Sequence, residues 1–127
     1  MRLLLDTHIA LWAILDSPLL PLQARLLIED PGNDIVISAA TIWEIAIKHA
    51  LGKDMPISAG DAINYFREAG YEELAVTPRH AAYVENLPPL HADPFDRILV
   101  AQALTVPLRL VTHDKKVAAY GGVVLVV

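Results

Sequence analysis

The sequence contains no cysteine, so disulfide frameworks, thiolate zinc sites and cysteine nucleophiles are excluded together. It also lacks any apolar run near the ~20 residues a membrane span requires, Ile9 to Leu15 being far too short. The opening Met1-Arg2-Leu3-Leu4-Leu5 is interrupted by Asp6-Thr7-His8 before a signal-peptide core of ordinary length forms. Basic residues are scarce: 10 Lys and Arg face 15 Asp and Glu, a formal charge of −5. That balance excludes nucleic-acid binding through a generic basic surface, but a metal-bridged route to phosphate survives it. The expectation is a soluble cytoplasmic protein with no membrane association.

What is present is apolar. Hydrophobic residues make up 54% of the chain and charged ones 20%, with mean hydropathy +0.40, which excludes disorder and predicts a sizeable core with an apolar interface left over. At 127 residues, positions 1–127 make one domain.

Short apolar runs alternate with amphipathic segments, the pattern of a parallel sheet covered by helices. Strands are expected at Arg2–Leu5, Ile35–Ile37, Leu74–Val76, Leu108–Val111 and Val123–Val127. Between them fall helices from His8 to Leu15, from Pro21 to Glu29, from Ala39 to Leu51 after Ser38, and from about Ala59 to Ala69. Thr77-Pro78 opens another, Asp93-Pro94 opens the most apolar one through Leu104, and Asp114 to Tyr120 forms a short one. The fold class is α/β: an α/β/α sandwich around a mostly parallel five-stranded sheet, with ligands expected beyond the carboxyl ends of the strands.

That rule selects among the acids. Asp6 follows the first strand and Asp114 the fourth, although either acid alone is equally a helix cap. Glu44 shares a narrow polar stripe with Lys48, four residues on, and periodicity alone turns this ion pair toward solvent. Asp93-Pro94-Phe95-Asp96 reads as a cap and a first-turn acid, yet its helix is apolar almost all round, which holds Asp96 at the rim of the core. Converging carboxylates repel unless a cation joins them, and oxygen donors without thiolates suit Mg²⁺ or Mn²⁺ acting on a phosphodiester. Removing Asp6, Glu44, Asp96 and Asp114 from the charge of −5 leaves −1.

These segments resemble a known family, the PIN-domain ribonucleases, and within it the VapC-type toxins of type II toxin–antitoxin pairs. Leu3-Leu4-Leu5-Asp6-Thr7-His8 is similar to their opening strand and first acid, and Ser38 to Lys48 to their second-acid helix. His91-Ala92-Asp93-Pro94-Phe95-Asp96-Arg97 with the following Ile98 to Ala103 resembles a signature of one toxin subgroup, and Val111-Thr112-His113-Asp114 the last acidic motif. The resemblance implies a PIN-like fold and a metal pocket of Asp6, Glu44, Asp96 and Asp114, with Asp93 as a helper outside the ligand set. It further implies Mg²⁺- or Mn²⁺-dependent endonucleolytic cleavage of RNA, a homodimer, and inhibition by a small antitoxin protein.

Thr7, Ser38 and Thr112, at strand ends, are candidates for hydrogen-bonding water on the metal, and are equally well explained as caps. Arg97 and Lys115 or Lys116 are candidates for RNA phosphates, against surface pairing with nearby acids. None of the five histidines shows zinc-protease spacing; His91 and His113 are placed at the mouth, against substrate or solvent. Trp12 and Trp43 are assigned to the core. An uncovered face is expected on the helix from Ile9 to Leu15, where a partner docks.

Three rivals remain. An aspartate-nucleophile phosphatase wants a second Asp two residues after Asp6, where His8 stands. A phospho-acceptor module wants paired acids there and a later lysine than Lys116. A catalytically silent binding module of the same fold is the remaining alternative.

Overall fold

The computed structural model describes residues 1–127. Five strands form one sheet: β1 (Arg2–Leu5), β2 (Asp34–Ser38), β3 (Glu72–Leu74), β4 (Arg109–Thr112) and β5 (Val124–Val126). Their order is β3-β2-β1-β4-β5 and every neighbouring pair is parallel, so the sheet is wholly rather than mostly parallel. Parallel neighbours need crossover segments; a 3-10 turn serves between β4 and β5, and α-helices supply the others. These are α1 (Thr7–Ile14), α2 (Leu22–Glu29), α3 (Ala39–Ala50), α4 (Ala59–Glu68), α5 (Pro78–Tyr83) and α6 (Pro94–Thr105).

The central strand explains why the sequence shows no polar alternation at its start. Leu3 and Leu5 enter one core with Ile9, Ile37, Ile45 and Phe66, while Leu4 enters the other with Val36, Leu99, Val100 and Leu110. Both faces of β1 are therefore buried, as in sheets sandwiched between helix layers. α1, α2 and α4 cover the first face and α6 the second; α3 reaches both, through Ile45 and Ala40.

Three expectations shift. β3 lies two residues before the expected Leu74–Val76, pairing Glu72 with Val36 and Leu74 with Ser38. It is an edge strand, and its acids are held by ion pairs, Glu72 with Arg2 and Glu73 with Arg67, rather than by apolar burial. Pro21 is the N-cap of α2 instead of its first residue. The segment after Asp114 forms only a 3-10 turn, Val117–Tyr120, and α5 likewise runs into one at Val84–Asn86. Gly52 and Gly70 close α3 and α4 at φ +67° and +80°, a left-handed conformation that favours glycine at helix ends.

No helix is long and apolar enough to cross a membrane.

Candidate active site

The first acid sits where β1 becomes α1. Asp6 is the N-cap of α1: Oδ1 accepts the Ile9 N–H at 2.9 Å, and Oδ2 accepts the Thr112 hydroxyl from the end of β4. Thr7, expected as the cap, is instead the first helical residue, and its hydroxyl donates to Glu44 Oε1 at 2.7 Å. Glu44 accepts from Lys48 Nζ on its other oxygen. The i,i+4 pair is present as expected, but Glu44 is only 5% exposed and faces the cleft, not solvent.

Asp96 stands on the first turn of α6, whose N-cap, Asp93, accepts the N–H groups of Phe95 at 2.8 Å and Asp96 at 3.3 Å. Its Oδ2 lies 2.8 Å from His91 Nε2. The same imidazole nitrogen is 3.6 Å from Asp114 Oδ2. Asp114 is oriented through Thr112, whose hydroxyl oxygen accepts the Asp114 N–H at 3.0 Å while donating to Asp6. One buried threonine thus fixes two of the acids.

Asp6, Glu44, Asp96 and Asp114 line a single pocket of about 140 Å³ with Thr7, His8, Lys48, His91 and Asp93, without one hydrophobic residue. Burial raises the Asp6 carboxyl above its usual range, against hydrogen bonds from Thr112 and Ile9 that lower it. Asp96 is lifted to about 6, first by burial and then by the charge of Asp93, with His91 opposing. Negative groups gathered at low exposure, and lifted by that burial, are what a cation would relieve. His91, Asp96 and Asp114 each bring a ligand atom within 4.8 Å of the others. A donor set of carboxylate oxygens and one imidazole fits a divalent ion.

Other candidates fall outside the pocket. Arg97 is committed to backbone: it donates to Pro88 O and Val84 O, each at 3.1 Å, and to the Tyr120 hydroxyl, pinning the segment ahead of α6 rather than facing a phosphate. Lys115 and Lys116 are exposed beside Asp114 without lining the pocket. Ser38 is fully buried and caps α3 through the Ala40 N–H. His113 turns away to the carbonyl of Val127. Trp43 is 59% exposed, edge-on to Phe95, which overturns its assignment to the core; Trp12 does pack against the core. Sequence reasoning put His91 only at the mouth, against substrate or solvent, and paired Lys48 with Glu44 toward solvent. For Lys48 the i,i+4 spacing was the signal; for His91 it was the run leading into Asp96, since no metal-site spacing marks it.

A family model for the PIN domain matches residues 3–123. The chain belongs to the PIN domain family. Within this PIN domain, 63 residues are 38% identical to Ribonuclease VapC16 of Mycobacterium tuberculosis, a match that takes in 48% of this chain and 45% of that protein's length. Among solved structures, VapBC2 from Rickettsia felis bound to a promoter DNA fragment aligns with TM-score 0.71 at 19% identity, covering 100% of this chain and 98% of that one. VapBC-1 from nontypeable Haemophilus influenzae aligns at 0.64 and 20%, covering 94% and 92%. A domain of a functionally unknown Methanocaldococcus jannaschii protein aligns at 0.61 and 16%, covering 99% and 90%. At those identities the structures establish a shared PIN fold.

Proposed function

We propose that residues 1–127 form a single-domain, metal-dependent endoribonuclease that hydrolyses RNA phosphodiester bonds as the toxin of a toxin–antitoxin pair. The observation that carries this reading is the convergence of Asp6, Glu44, Asp96 and Asp114 on one wholly polar pocket at the carboxyl ends of parallel strands. The relation to Ribonuclease VapC16 supports the activity. RNA as substrate places its work in the cytoplasm.

Asp6, Glu44, Asp96 and Asp114 would hold Mg²⁺ or Mn²⁺. When bound, such an ion offsets charge on the phosphodiester and makes water a competent nucleophile at neutral pH. The chain's own contribution is geometry. Thr112 and the Ile9 N–H hold both oxygens of Asp6, and Thr7 and Lys48 hold both of Glu44, so these two acids keep fixed rotamers as substrate enters. Lys48 adds the only lysine charge lining the pocket, positioned to offset a phosphate. Asp114, the most exposed of the four, stands at the mouth.

The matched VapBC structures support a protein partner. So does a stripe of exposed leucines, Leu15, Leu19, Leu22 and Leu26, along α2 and the segment leading to it. Of the expected uncovered face from Ile9 to Leu15 only Leu15 joins this surface, because Ile9, Ala10 and Leu11 are buried. Exposed Trp43, beside an apolar groove of about 590 Å³ that includes Val76 and Val84, supports a second copy of the chain as homodimer partner.

The decisive experiment is cleavage of a mixed RNA pool by purified protein with Mg²⁺, Mn²⁺ or EDTA, alongside Asp6→Asn. Metal-dependent cuts that vanish in the variant are expected. Folded, partner-free protein that cuts nothing with either ion would instead favour the silent binding module.

A further inference from the structure

The carboxylates do not share the pocket evenly. Both oxygens of Asp6 and both of Glu44 already accept hydrogen bonds from the protein. Asp96 and Asp114 each retain an oxygen whose neighbour is the His91 ring. The three side chains whose ligand atoms lie within 4.8 Å of one another are His91, Asp96 and Asp114, and neither Asp6 nor Glu44 is among them.

We propose that His91 is itself a ligand of the divalent ion, and that its imidazole tilts the site toward Mn²⁺ over Mg²⁺. This rests on the metal-dependent reading above and specifies which ion that site selects. The ring is held in place for the task. Its side chain is 16% exposed, and Arg97, anchored on α6, fastens the backbone before it by donating to the carbonyls of Pro88 and His91. Mg²⁺ favours an all-oxygen environment and gives up its water reluctantly, whereas Mn²⁺, itself mainly an oxygen-seeking ion and the weakest binder of the first-row series, tolerates one imidazole nitrogen beside carboxylates better than Mg²⁺ does. Replacing one oxygen donor by a ring nitrogen therefore discriminates between two ions that four carboxylates alone would bind similarly. His8, the other histidine lining the pocket, is exposed and packs its ring near Trp12, so it serves as the control.

The test is pulsed electron paramagnetic resonance of Mn²⁺ added to the full chain without RNA, read for ¹⁴N coupling from a coordinated imidazole. Coupling is expected in the native protein and in His8→Gln, and lost in His91→Gln. Calorimetry should show Mn²⁺ affinity falling at least about tenfold in His91→Gln while Mg²⁺ affinity changes less than about threefold. Bound Mn²⁺ without ¹⁴N coupling, or coupling that survives His91→Gln, would overturn the proposal and leave the metal-dependent reading standing. An equal fall for both ions would also overturn it, reducing His91 to a residue that positions Asp96. Absence of any Mn²⁺ binding by folded native protein would sink both. The native spectrum and His91→Asn keep the question decidable should His91→Gln fail to fold.

Discussion

Asp96 shows at the scale of a single residue how a site works against its own fold. Its carboxyl is lifted to about 6 in the folded protein from 3.8, mainly because burial penalises the charge. The ion-free folded chain therefore holds that proton more tightly than the unfolded chain, and this group favours folding more as pH falls from 7 toward 4. Asp6, raised by burial as well, acts in the same direction. Solvent screening at a partly exposed group reduces the Asp96 contribution to on the order of 1 kcal/mol. In EDTA, Asp96→Asn should be more stable than the native chain at pH 7 and lose that advantage near pH 4.5, as followed by thermal unfolding. Parallel pH profiles for the two proteins would refute it. Asp6, Asp96 and Asp114 were legible from the sequence because each follows a strand or opens a buried helix, whereas Glu44, in the middle of α3, was placed in the pocket only by the family resemblance. Which way Glu44 points was not legible, since a stripe two residues wide is compatible with solvent and with a cleft, and only the packing of α3 against α1 decides. Trp43 misled for a related reason: a tryptophan on a mostly apolar helix looks like core until the neighbouring faces are known.

At the scale of elements, the ends of β1 and β4 act as one unit. Thr112 joins them, and a valine there would keep the shape while stripping a hydrogen bond from Asp6 and another from the Asp114 backbone. Thr112→Val should cost about 1–3 kcal/mol in urea unfolding and lower metal affinity about tenfold or more. Unchanged metal affinity in a destabilised variant would make Thr112 a strut between strands and nothing else. Strands buried on both faces, and helices opened by Ser38 or Asp93, were readable to within a residue or two. The edge strand β3 was foreseen but set two residues too late, because its pairing rests on backbone and ion pairs that leave no apolar signal.

For the molecule as a whole, the leftover apolar surface is the feature that composition foretold without locating. Leu22 and Leu26 are 69% and 61% exposed on α2, while the same helix buries Ala24 against the core. Leu22→Asp with Leu26→Asp should leave unfolding and the proposed RNA cleavage within error of the native protein yet abolish co-purification with the proposed antitoxin partner. Retained co-purification would place the partner elsewhere. The strand order has a different consequence. β4 lies beside β1 although Thr112 and Asp6 are 106 residues apart, so the pocket closes only when distant stretches of chain meet. On the nuclease reading proposed above, a nascent chain that has passed Glu44 carries half of the acid set and cannot assemble the pocket until translation has passed residue 114. The proposed chemistry would thereby be withheld by topology during synthesis.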